Sequence, residues 1–296
     1  MTMETATAPD TDAGLRPTLS EEGLAPTHEV EAVDEYGEIN HVQVAGESPL
    51  TIKVDDREIV TLMTLGTRPE ALTLGYLRNQ RLIEDINDIA EVRVNWDIET
   101  VFVTTRDGSG VIDWEQKLAQ RTVTTGCGQG TVFSVTVDNV YNVRLPEVVV
   151  KQSTIYGVLK EISAYNEIYR QAGAVHGCAL CQGTEILSFV EDVGRHNAAD
   201  AISGQMWLDG VSGADKWFYT TGRLTSEMVI KAAYMGIPVL LSRSGVTQMG
   251  LDLAFTVGMV MIARAKGRHF LVYNGAEQIS HDAVPTRPPT PRSRGG

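Results

Sequence analysis

The chain has 296 residues, 43% of them hydrophobic, with 38 Asp and Glu against 25 Lys and Arg and three cysteines. This composition excludes global disorder, which needs low hydrophobicity, and a disulfide scaffold, which needs denser cysteine. A net charge of −13 excludes general coating of DNA or RNA, because nonspecific affinity comes from Lys and Arg neutralising phosphates; any polyanion must find a local basic pocket.

Residues 1–40 hold ten acids against Arg16 alone, so nine of the thirteen net negative charges sit there. The stretch is rich in Thr, Ala and Pro, shows no helical or strand period, and lacks the basic start and apolar run of a signal peptide. It reads as a disordered acidic leader. Residues 42–62 alternate apolar and polar (Val42, Val44, Leu50, Ile52, Val54, Ile59), which predicts two short strands closing on an Asp55-Asp56 turn. Residues 64–83 predict a helix, with Thr67 as its cap and Pro69 in its first turn. The β-branched runs 89–96 and 98–105 predict a strand pair, so residues 41–146 form an N-terminal α+β part.

The segment RTVTTGCGQGTVF (121–133) sets Cys127 between Gly126 and Gly128. Glycines allow positive φ and let backbone N–H groups converge as an anion nest, which stabilises a thiolate or persulfide. A mobile arm of this kind suits a sulfur carrier, whose sulfur must meet a donor and then an acceptor; the plainer alternative is a tight turn with an incidental cysteine.

Ser153 precedes an apolar helical face (Ile155, Val158, Leu159, Ile162, Tyr165, Tyr169) and reads as that helix's cap. Strands 173–180 and 185–190 follow around Gln182-Gly183. The first contains HGCALC (176–181), which invites zinc ligation by His176, Cys178, Cys181 and Cys127. Residues three apart on a strand point to opposite faces, which favours buried cysteines acting as small hydrophobes. The chain then alternates helix (196–206), strand (216–220), helix (224–234), strand (237–242), helix (247–257) and strands near 259–263 and 270–273. Such alternation over 147–281 predicts α/β architecture, a mixed sheet covered by helices.

Strand-to-helix junctions in such sheets collect ligands. Here they carry Arg195, His196 and Asn197, then Arg223, then Arg243 and Gly245, and the last strand turn adds Arg264, Lys266, Arg268 and His269. Positive charge gathered on a few loops of an acidic chain fits a phosphate-bearing cofactor. P-loop, GxSxG and HExxH signatures are missing from the sequence. The Pro- and Arg-rich end, 282–296, reads as a disordered tail. The longest apolar stretch, 253–263, falls short of the roughly 20 residues needed to span a bilayer, so a cytoplasmic protein is expected.

Taken together, LMTLGTRPEALTLGYLRNQRLI (62–83), TTGCGQG (124–130), VEDVGRHNAADAISG (190–204), TTGRLTSEMVIKAAYMGIPVLLSRSGVTQMGLDLA (220–254) and the Arg264–Tyr273 segment resemble the formate dehydrogenase accessory sulfurtransferase family of FdhD-type sulfur carriers. The resemblance spans roughly residues 45–275. It implies a cytidine-deaminase-like fold and a carrier that accepts a persulfide from a cysteine desulfurase. The sulfur would pass to the molybdenum cofactor, bis-molybdopterin guanine dinucleotide, before insertion into formate dehydrogenase. By motif position Cys127 would hold the persulfide, and Ile262, Ala263, Arg264, Ala265, Lys266 and Gly267 would match the family's cofactor-binding stretch, with Arg195, His196 and Arg223 expected nearby. The cofactor would be a client, with no permanently bound group, and its two halves suggest a homodimer. Two departures stand out. Family members often carry Cys-x-x-Cys in the loop where this chain has Gly130, which leaves a cofactor chaperone without sulfur transfer as the alternative. His176-Gly177-Cys178 lacks the Glu of zinc deaminases, which argues against deamination.

Overall fold

A computed structural model of the chain describes residues 16–108, 110–111, 122–123, 130–131 and 140–286. In chain order the N-terminal elements are β1 (Thr18–Leu19), β2 (Thr27–Val33), β3 (Ile39–Ala45), β4 (Ser48–Val54), β5 (Arg57–Thr64), α1 (Pro69–Asn79), β6 (Ile89–Asn95) and β7 (Thr100–Thr105). Five of the strands make one sheet in the order β1-β6-β7-β4-β5. Alternation explains the inner face: Leu50, Ile52 and Val54 of β4 are each 0% exposed, while their neighbours point outward. The β4–β5 hairpin turns at Asp55-Asp56 as its sequence predicts, with Asp55 at φ +49°. Its carboxylate accepts from the Thr105 amide at 2.9 Å and the Thr105 hydroxyl at 2.7 Å.

Four expectations need correction. Residues 18–40 of the expected disordered leader are structured: β1 runs parallel to β6, and β2 pairs antiparallel with β3 along its whole length. The apolar side chains of that second ribbon are exposed (Val30, Val33, Ile39, Val42, Val44), so its strand period is buried in a run of acids. Val42 and Val44 therefore belong to β3 and pair with β2, outside the β4–β5 hairpin. At α1 the N-cap is Arg68, without a side-chain cap, and Pro69 holds the first turn, so Thr67 is not the cap. Residues 1–15 and 287–296 lie outside the described residues.

The remaining elements are β8 (Thr122–Val123), β9 (Gly130–Thr131), β10 (Val150–Lys151), α2 (Gln152–Tyr165), α3 (Glu167–Ala172), β11 (His176–Gln182), β12 (Glu185–Asp192), α4 (Arg195–Leu208), β13 (Trp217–Thr220), α5 (Ser226–Tyr234), β14 (Val239–Ser242), α6 (Gln248–Val257), β15 (Val260–Lys266), β16 (His269–Asn274) and β17 (Ile279–Ser280). Ser153 lies inside α2 and is not its cap; its hydroxyl donates to Asp282 at 2.6 Å. The second sheet runs β12-β11-β13-β14-β15-β16. Its middle strands β13, β14 and β15 are parallel and its flanks antiparallel, the mixed sheet covered by helices that the alternation predicts.

Helices cover both faces because the inner strands β11, β13, β14 and β15 are buried on both sides over most of their length. Ile155, Val158 and Ile162 of α2 pack with Ala179, Cys181, Tyr219, Leu241 and Ile262 on one face. On the other, α4, α5 and α6 pack over Cys178, Leu180, Phe218, Leu240 and Met261, and the same core continues into α1 and the first sheet. The joint between the halves is the α1–α4 crossing. A Cβ on Gly75 would lie 1.7 Å from the Asp200 carbonyl oxygen, and one on Gly204 1.9 Å from that of Ala71, so only glycine lets the two backbones approach this closely.

Candidate functional site

Parallel pairing puts the carboxyl ends of β13, β14 and β15 on one edge, where the following turns are laced together. The Arg243 amide donates to the Thr220 carbonyl, Leu224 to Gly245, and Arg264 to Ser244 at 2.8 Å, while the Ser242 hydroxyl donates to the Gly222 carbonyl at 2.6 Å. The antiparallel strand β11 starts at the same edge, its Gly177 carbonyl accepting from Thr221. Strand β12 ends there and α4 begins there. The loops singled out by their arginines thus share one rim, the place where open α/β sheets bind ligands.

On the α4 side, Asp192 sets the junction. Its carboxylate accepts from the Thr64 hydroxyl at 2.6 Å and the Leu65 amide at 3.0 Å on one oxygen. The other oxygen accepts from the Gly194 amide and the Asn197 side chain, each at 2.9 Å. Arg195 is 7% exposed and His196 5%. His196 is buried between α4 and α5, with Nε2 3.0 Å from Glu227. Burial first, then Lys231 and Arg195, lower its pKa to about 2, so the contact is a neutral imidazole beside a carboxylate. One helical turn further along each helix, Lys231 donates to Asp200 at 2.6 Å, and Asp200 also accepts from Asn79 at 2.7 Å. Arg223 stands exposed at the surface of the rim.

On the α2 side lies a pocket of about 740 Å³ lined by Tyr156, Lys160, Tyr169, Arg170, Tyr219, Arg243 and Ala265 to Arg268, among others. Five of its lining residues are cations (Lys160, Arg170, Arg243, Lys266, Arg268) and none is an acid, so it attracts anions in a chain that is otherwise acidic. Burial pushes the Tyr219 hydroxyl up to about 12, and Arg243 is hydrogen-bonded to it. The β15–β16 turn delivers Lys266, Gly267 and Arg268 because β15 bulges after Ala263: Arg264 takes φ +51° and turns outward over Gly245.

The rim brings Arg195, Arg223, Arg264, Lys266 and Gly267 to the sheet edge, with Ala265 at the pocket wall. Ile262 and Ala263 are 0% exposed and sit in the two opposite cores; they place the loop and offer no side chain to a ligand. Lys160, Arg170 and Tyr219 escape sequence reasoning, because a cation on the polar face of a helix looks like any solvated residue. Cys127 lies outside the described residues, which give only the strand pair flanking it, Thr122 opposite Thr131 and Val123 opposite Gly130. Cys178 and Cys181 face different cores, and burial pushes both thiols up to about 12. They are inert packing groups at neutral pH.

Residues 45–280 match the model of the FdhD/NarQ family. Among curated relatives, the sulfur carrier protein FdhD of Listeria monocytogenes is 30% identical over 246 residues, covering 80% of this chain and 91% of that protein. The protein of the same name from Bacillus subtilis is 27% identical over 248 residues, covering 83% and 94%. A crystal structure from Desulfotalea psychrophila, of a protein assigned provisionally as a formate dehydrogenase accessory protein, superimposes with a TM-score of 0.69 at 27% identity, covering 86% of this chain and 98% of that one.

Proposed function

The chain belongs to the FdhD/NarQ family, and from that membership we propose that it is a sulfur carrier serving formate dehydrogenase. Cys127 takes the terminal sulfur of a cysteine desulfurase persulfide: its thiolate attacks that sulfur, the desulfurase thiolate leaves, and the sulfane atom remains on Cys127. The acceptor is the molybdenum cofactor as bis-molybdopterin guanine dinucleotide, held as cargo before its insertion into formate dehydrogenase. The observation that supports cofactor handling is the cationic pocket at the rim, five positive side chains without an acid, a setting for pyrophosphate groups. Lys266, Gly267 and the Arg264 bulge form its lip, and Arg195 and Arg223 extend the positive edge across the sheet. A cofactor of two like halves would be matched by a homodimer. Among the described residues no helix is long and apolar enough to cross a membrane.

One observation favours a second reading. Gly130 stands where the Cys-x-x-Cys form of the loop implied by the resemblance has its second cysteine, so a relay between two loop thiols is not available, and the chain would then be a cofactor chaperone. Intact-mass spectrometry after incubation with a cysteine desulfurase and cysteine decides between them. The carrier reading expects a reducible gain of one sulfur on the wild type and none on Cys127→Ala. Addition to neither protein supports the chaperone, and addition to both moves the chemistry to another thiol.

A further inference from the structure

The second sheet ends on β12, whose one neighbouring strand among the described residues is β11. Alternate residues of such an edge turn their backbone N–H and C=O groups away from the sheet, open to another extended segment. Around this edge lies a groove of about 590 Å³, walled by Ile202, Met206 and Val211 on the α4 side and by Tyr165 on the α2 side. Ile186 and Phe189 of β12 pair with Cys181 and Ala179 and belong to the α2-side core, whereas Ser188 pairs with Leu180 of the α4-side core. A strand laid against β12 therefore meets an apolar wall with each of its two alternating sets of side chains.

We propose that residues 2–8 of this chain fill the groove as an added strand antiparallel to β12, joined to the fold through residues 9–15. The described residues begin at the mouth of the groove. Arg16 is 3.9 Å from Asp209, and Arg68, Gln205 and Asp209 line both the groove and the adjoining cavity that holds Arg16. Reach is ample, since the fifteen residues before Arg16 span up to about 50 Å when extended. The eight residues of β12 cover about 26 Å. Direction follows from α4, which starts where β12 ends and runs back for fourteen residues to Asp209 at its C-cap, about 21 Å. Asp209 thus lies toward the Glu185 end of β12, and the shortest path along the strand to Arg16 runs opposite to β12.

The segment has the chemistry of the groove. TMETATA (2–8) holds three threonines among small residues, without Gly or Pro, and Pro9 closes it; β-branched threonine suits a strand, and proline ends one. Ser188 Oγ is buried with no hydrogen-bond partner among the described residues, and a threonine hydroxyl across from it would supply one. Asp10 and Asp12 fall in the connector, within reach of Arg68, which is exposed at the junction of the two cavities and has no ion pair among the described residues. The added strand would cover an edge that otherwise invites pairing with other chains.

The test is hydrogen exchange of the full chain read by mass spectrometry, comparing wild type with Ala6→Pro and Thr7→Pro. Adjacent residues of a strand donate to opposite sides, so one of these prolines removes an N–H that would bond to β12. At least one variant should speed exchange in β12 by about tenfold or more, while β16 at the opposite edge of the sheet stays unchanged. Neither substitution touches the described fold. For location, Leu187→Cys is paired with Thr5→Cys or Thr7→Cys in a Cys127→Ala background and oxidised with diamide at low protein concentration. A disulfide within one chain is expected. Equal β12 exchange in all three proteins, or no disulfide from either pair, would overturn the proposal. A disulfide between two chains would overturn it as well, giving the groove to a second copy. Neither readout depends on sulfur transfer.

Discussion

His196 shows how burial turns a rim residue into a structural one. Its pKa falls to about 2, through burial first and then Lys231 and Arg195, so the folded chain keeps it neutral while the unfolded chain protonates near its ordinary value. For a base depressed by folding, stability is full above the unfolded pKa and is lost as pH falls below it, because the unfolded state then binds more protons. Denaturant titrations at pH 7, 6 and 5 should show wild-type stability falling with a slope component of up to about 1.4 kcal/mol per pH unit. His196→Asn should show a smaller slope than wild type; equal slopes would refute the role. The sequence exposes His196 as a residue at a helix start, but not that its ring turns inward toward Glu227. That orientation depends on α5 packing, which brings Glu227 and Lys231 opposite His196 and Asp200. By contrast, Arg223, Arg264, Lys266 and Arg268 are legible as rim cations, because charge in a turn following an apolar strand has few other places to go.

At the scale of elements, the β13–α5–β14–α6–β15 succession is legible because each strand is a short apolar run and each helix starts where one ends. The α1–α4 crossing is not. Gly75 and Gly204 read as isolated helix glycines that weaken each helix, and only the structure shows each one making room for the other's backbone. Gly75→Ala and Gly204→Ala should each cost about 3 kcal/mol or more, through overpacking that neither backbone can relieve. Thermal melts of the single variants measure it, and a loss under about 1 kcal/mol would show that the helices slide apart cheaply. A shift at this crossing would also move Asn79 off Asp200, removing a hydrogen bond from the buried Lys231 pair.

For the whole molecule, the question is what the acidic N-terminal stretch does for a chain whose ligand edge is basic. The expectation of disorder over residues 1–40 followed from charge density, which obscures strand patterning where both faces of a ribbon are wet. In the fold, part of this stretch belts the first sheet. The Ser20 hydroxyl donates to buried Glu70 at 2.7 Å and itself accepts from the Val94 amide at 2.9 Å. Trp96 donates to the Glu22 carbonyl at 2.9 Å, and the Leu24 amide donates to Gly66 at 2.8 Å. Glu70 opens α1, the helix that crosses α4, so the belt is continuous through α1 with the element that presents Arg195. A chain beginning at residue 41 loses these bonds and leaves Glu70 without its two donors from residues 20 and 22. At about 1 kcal/mol for each bond lost, it should melt at least about 5 °C lower than the full chain. Pyrophosphate affinity per folded molecule should change little, because among the described residues no rim cation is seen bonded to the belt. An unchanged melting temperature would mean that the belt is held by the fold without holding it. Loss of pyrophosphate binding in fully folded truncated protein would instead make the belt part of the ligand edge.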